Sequence, residues 1–167
     1  MLTNLFWVDG PWPGRLAIAS RPRGLDWLED EMKGWRQAGV NAVVSLLEPH
    51  EAEDLGLDEE RTHCEASGME FYSLPIVDRS VPKSDAEAAR LLAQLDDALC
   101  RGKNIAIHCR QGIGRAGMMA STLLVERGVN PSEAIRRVSA ARHAPVPETT
   151  EQRAWIDSFA ATLNRRR

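Results

Sequence analysis

The segment His108-Cys109-Arg110-Gln111-Gly112-Ile113-Gly114-Arg115 sets a nucleophilic sulfur ahead of an arginine, with five residues between them. It follows an apolar run, Ile105-Ala106-Ile107, and leads into a helical pattern from Met118 to Arg127. Strand, loop and helix in that order suit a phosphate dianion. Consecutive backbone N–H groups in such a loop converge on anionic oxygens, and the helix start adds the positive end of its dipole. The backbone of Arg110, Gln111, Gly112, Ile113, Gly114 and Arg115 is therefore the candidate phosphate cradle. Arg115 adds a planar two-pronged grip. The same positive field favours the thiolate of Cys109, the form that attacks phosphorus. Gly112, Gly114 and Gly117 tolerate the positive φ and close approach that a tight loop needs. Cys-x5-Arg alone is a weak signal, and its seat between strand and helix gives it weight.

The segment resembles the signature loop, His-Cys-x5-Arg, of the cysteine-dependent protein tyrosine phosphatase superfamily. Leu74-Pro75-Ile76-Val77-Asp78-Arg79-Ser80-Val81-Pro82 is similar to the general-acid loop of its compact, dual-specificity-like branch. Pro147-Glu148-Thr149-Thr150-Glu151-Gln152 is similar to a late segment whose glutamine positions water in some members. The resemblance covers the chain from about Asn41 onward, and the residues before it match loosely. It implies a phosphomonoester hydrolase in which Cys109 forms a cysteinyl-phosphate and Arg115 with the loop amides holds the equatorial oxygens. Asp78 would serve as general acid and then base, and Gln152 would place the water. His108 would steady the loop.

From the residues alone, Asp78 also reads as a turn aspartate bonded to nearby amides. Gln152 also reads as the second half of a capping box with Thr149. Arg110 either raises the potential for an acidic substrate or is simply solvated. Most relatives carry serine or threonine after the signature arginine, where this chain has Ala116. That hydroxyl is thought to ease departure of the sulfur, so a slow second step is expected. The phosphotyrosine-engaging motif of the large tyrosine-specific enzymes is absent, as are the lysines of phosphoinositide-directed loops.

The elements that must position these residues are legible as alternating strands and helices. Leu5–Val8 and Leu16–Ala19 flank a Gly-Pro-Trp-Pro-Gly turn and read as a hairpin. Asp26 is the expected cap of a helix to Ala38, stopped by Gly39. Residues 41–47 and 69–74 read as strands, with a helix over 58–66 between them. Ser84 and Glu87 form a capping box for a helix to Cys100. Asn130-Pro131 opens another helix, and a last one runs over 149–163. The expected fold is a single α/β domain over residues 1–167, with a mostly parallel or mixed central sheet flanked by helices. Its phosphate-binding loop lies between a strand and a helix. Ligands bind at the carboxyl ends of such strands, where Cys109 and Asp78 both fall.

The chain has 167 residues and a net charge of −3, which argues against nucleic acid or an acidic membrane as partner. No run approaches the length of a membrane span, and residues 1–7 lack a secretory start. Arg165-Arg166-Arg167 reads as a solvated terminus. Three cysteines give an odd count and point to the reducing cytoplasm. Cys64 and Cys100 are candidates for a reversible disulfide with Cys109. No cluster of His, Asp or Glu points to a metal, and the chemistry needs no cofactor. The expected partner is a phosphorylated substrate, a phosphoprotein ahead of a small phosphate ester, met by a monomer. Two other functional classes stay open. One is a catalytically weak phosphate-recognition domain, kept alive by Ala116. The other is a thiol-dependent oxyanion reductase or sulfurtransferase, in which Asp78 has no obvious task.

Overall fold

The computed structural model of the chain describes residues 2–166. Strands β1 (Phe6–Val8) and β2 (Leu16–Ala19) pair antiparallel across their turn, as the sequence leads one to expect. Helix α1 spans Leu28–Gln37, β3 Ala42–Ser45, α2 Pro49–Asp54, α3 Glu60–Ala66 and β4 Glu70–Ser73. Helix α4 follows at Asp85–Cys100, β5 at Ile105–His108, α5 at Arg115–Glu126, α6 at Pro131–Arg142 and α7 at Thr150–Arg166. The sheet order is β1-β2-β5-β3-β4, and every pair except β1–β2 is parallel.

The central strands are apolar at every position but their ends because both sheet faces are covered. Side chains alternate between those faces. Leu16, Ile18, Ala42, Val44, Ile105 and Ile107 enter one core, under α4, α5, α6 and α7. Ala17, Ala19, Val43 and Ala106 enter the other, against Leu28, Met32 and Trp35 of α1 and Cys64 of α3. β5 lies in mid-sheet, between β2 and β3. Whatever follows His108 therefore emerges at the centre of the carboxyl rim.

Two local expectations are corrected. Asp26 does not cap α1. It lies inside a 3-10 turn, Leu25–Trp27, and Trp27 takes the cap position without a side-chain bond. Backbone contacts hold that turn instead, Leu25 N–H to Gly56 O at 2.9 Å and Trp27 N–H to Gly24 O at 3.2 Å. Helix α2 was not anticipated. Its cap is Glu48, a residue type rarely used there, in a reciprocal box with Glu51 and with Pro49 in the first turn. The caps at Ser84 and Asn130 form as expected, accepting from Glu87 N at 3.1 Å and from Glu133 N at 2.9 Å.

Candidate active site

Cys109 leaves the end of β5 and Arg115 opens α5, so the loop between them turns at the sheet rim. Gly112 makes the turn possible. Its φ is +73°, and a Cβ there would stand 2.5 Å from the carbonyl carbon and oxygen of Ala19. No side chain fits where the loop presses on the end of β2. The Gly112 N–H donates to Cys109 Sγ at 3.3 Å. Arg142, in the last turn of α6, braces the loop from behind. Its Nη2 donates to Gln111 O at 3.0 Å and its Nε to Gly112 O at 3.2 Å. A carbonyl and the N–H that follows it point in opposite directions across one peptide plane. Drawing these two carbonyls outward turns the amides of Gly112 and Ile113 inward.

The Arg115 side chain is 1% exposed and lies between two carboxylates. Nη1 donates to Glu51 Oε1 at 2.7 Å and to Ile76 O at 2.8 Å, while Nη2 reaches Glu51 Oε2 at 3.1 Å. The second carboxylate is Asp78, 3.2 Å from Nη2. Burial disfavours the charge on both Arg115 and Glu51. Their mutual hydrogen bonds outweigh it, so Glu51 is held below the usual carboxylate range and Arg115 above its ordinary value.

His108 is fully buried. Its Nε2 lies 2.6 Å from Glu60 Oε2 and its Nδ1 3.1 Å from the Cys109 carbonyl oxygen. Both ring nitrogens thus face acceptors, which suits the doubly protonated imidazolium. Burial opposes that charge, but the Glu60 carboxylate prevails and raises the His108 pKa. The histidine joins the loop backbone to α3 on the far sheet face.

Asp78, Cys109, Arg110, Gln111, Gly114, Arg115 and Glu148 line one cavity of about 50 Å³. Six sequence candidates, Asp78, Cys109, Arg110, Gln111, Gly114 and Arg115, thus converge there. Gly112 and Ile113 are not among its wall residues. Gln152 is fully buried and is not in the wall. Its Oε1 accepts from Glu148 N at 3.0 Å and Thr149 N at 3.2 Å, and its Nε2 donates to Ser80 O at 3.0 Å. Arg79, at φ +63° beside Asp78, forms an ion pair with Glu148 of the cavity wall. Ala116 is buried directly after Arg115, and the only hydrogen bond to Cys109 Sγ among the described residues comes from Gly112.

Sequence reasoning gave no role to Glu51, Glu60, Arg142 or Glu148, which resemble solvated charges until the chain folds. The two other cysteines lie far from the nucleophile. Cys100 ends α4, and Cys64 Sγ contacts the carbonyls of Met69 and Glu70 at the start of β4. Both are at the amino end of the sheet, whereas Cys109 follows the carboxyl end. Burial pushes the Cys64 thiol up to about 12, and all three cysteines are free.

The PTP-SAK family model, described as the Swiss Army Knife protein DSP-PTPase phosphatase domain, matches residues 4–161. Among solved structures, kinase associated phosphatase superposes with a TM-score of 0.87 at 16% identity, covering 98% of this chain and 97% of its own. Tk-PTP in its active form is 26% identical with a TM-score of 0.77, covering 94% of this chain and 96% of its own. PTPMT1 in complex with PI(5)P is 18% identical with a TM-score of 0.76, covering 96% and 98%.

Proposed function

Because the chain belongs to the dual-specificity protein tyrosine phosphatase domain family and is thereby a cysteine-dependent phosphatase, we propose that it works through a cysteinyl-phosphate on Cys109. The observation that carries this reading is the shared cavity, with sulfur, guanidinium and an exposed carboxylate on its walls. In the first step the Cys109 thiolate attacks phosphorus in line. The S–P bond forms, the ester O–P bond breaks, and protonated Asp78 gives its proton to the departing oxygen. Arg115 and the inward amides stabilise the three equatorial oxygens. In the second step Asp78 takes a proton from water, whose oxygen attacks phosphorus. The S–P bond breaks, inorganic phosphate leaves, and the electron pair returns to sulfur to restore the Cys109 thiolate.

The arrangement divides two carboxylates by role. Glu51 is buried and holds the Arg115 plane. The Asp78 side chain is 57% exposed, so it can leave Nη2 when a phosphate oxygen arrives. The cavity is small, about 50 Å³, which suits a phosphate group whose parent molecule stays at the rim, and we favour a phosphoprotein as that molecule. Three free cysteines support a reducing compartment, and we place the protein in the cytoplasm as a monomer. Ala116 favours a second reading, a domain that captures phosphorylated partners and releases them slowly. Steady-state release of phosphate separates the readings. Turnover of an aryl phosphate should vanish in Cys109→Ser and fall about a hundredfold in Asp78→Ala. An intact rate in Cys109→Ser rejects the mechanism.

A further inference from the structure

We infer that Gln152 is the positioning residue of the general-acid loop, tying Asp78 in place rather than orienting the hydrolytic water. The inference rests on the phosphatase reading above. The amide of Gln152 has a fixed sense, because backbone N–H groups meet one end and a carbonyl the other. Its Oε1 accepts from Glu148 N and Thr149 N, which fill both lone pairs. No acceptor capacity remains to receive a proton from a nucleophilic water. Its Nε2 donates to Ser80 O, two residues beyond Asp78 and 72 residues away in sequence. The Gln152 amide therefore joins the 148–149 turn to the loop that carries the acid.

Other contacts finish the clamp. Ile76 N–H donates to Leu46 O at 3.1 Å, and Ile76 O accepts from Arg115 at 2.8 Å. Ser80 N–H closes a turn on Val77 O at 2.9 Å. Arg79, next to Asp78, forms an ion pair with Glu148. Asp78 thus sits between a Leu46–Arg115 anchor and a Gln152 anchor. The Ser80 end of the loop is the one that faces α7, and Gln152 is what holds it there.

Gln152→Glu isolates this contact. A carboxylate keeps the acceptor for the two backbone amides at the helix start but has no proton to give Ser80 O. The measurement is kcat/KM, which reports the first chemical step, across aryl phosphates whose leaving-group pKa values differ. Relative to the parent, the variant should lose about tenfold on phenyl phosphate and less than about twofold on 2,4-dinitrophenyl phosphate, because only a poor leaving group needs its proton from Asp78. On an Asp78→Asn background the same substitution should change kcat/KM by less than about twofold, since it acts through Asp78. Gln152→Met, which keeps length and apolar packing, should show the same leaving-group pattern and serves if the glutamate variant does not fold. Equal losses on both esters, additivity with Asp78→Asn, or an unchanged kcat/KM with slowed phosphoenzyme breakdown overturn the assignment. A parent protein inactive on every ester overturns the phosphatase mechanism itself, which is a different result.

Discussion

Arg115 is a buried structural side chain to which the proposed mechanism also gives a catalytic task. A buried guanidinium needs a partner, and Glu51 supplies one with two hydrogen bonds while Asp78 remains exchangeable. Removing the fixed partner leaves a charge stranded in the core. Glu51→Ala should therefore lower the unfolding free energy by about 3 kcal/mol in urea titrations near neutral pH. Glu51 is held below its ordinary value of 4.5, so its contribution is complete above that pH and fades as acid protonates it in the folded state. The gap between parent and variant should accordingly close as pH falls below that ordinary value. A gap that stays constant into acid contradicts the role given to the carboxylate. Ala116 bears on the sulfur in the same local way. Cys109 Sγ accepts from one backbone amide, so Ala116→Ser should add a hydroxyl donor and raise steady-state kcat several-fold, with kcat/KM little changed. Stopped-flow turnover should show a burst in the parent that shrinks in the serine variant.

The loop is an element whose shape comes from where its carbonyls point. Arg142 and the end of β2 fix that shape from outside, so one methyl group at Gly112 should break it. Gly112→Ala combines a φ of +73° with a 2.5 Å approach to Ala19. The strain of that conformation alone costs about 1–3 kcal/mol. The variant should keep its far-UV circular dichroism while losing phosphate protection of Cys109 from alkylation. Wild-type protection by phosphate in that variant contradicts the steric account. The strand-loop-helix around Cys109 was readable because its parts are adjacent in the chain and glycine and arginine mark the turn. The helix α2 was not, because glutamate at a cap looks like any surface charge. Nor were the braces, since Glu51 stands 64 residues from Arg115 and Glu60 stands 48 from His108. Gln152 was visible as a capping residue but not as a clamp, because Ser80 comes to it only through the packing of α7 beside the acid loop.

Across the whole molecule, the sheet collects groups from distant elements at one rim and the helices on its two faces hold them there. The His108–Glu60 pair carries that support through the sheet, since the loop belongs to one side and α3 to the other. His108 is raised above its ordinary 6.5, so its ion pair contributes fully below that pH and is lost as pH climbs through the folded value. The melting temperature of the parent should therefore fall more steeply than that of Glu60→Gln on going from pH 6 toward about pH 9. Parallel curves contradict a charged histidine. The fold brings Asp78, Cys109 and Arg115 to one cavity, and the proposed mechanism rests on a covalent step at Cys109. Acid-quenched mass spectrometry after brief mixing with an aryl phosphate tests it most directly. The peptide containing Cys109 should carry one added phosphoryl group in the parent, more of it than in Ala116→Ser, and none in Cys109→Ser. Turnover with no phosphoryl group on that peptide, or with the group on another residue, contradicts the account.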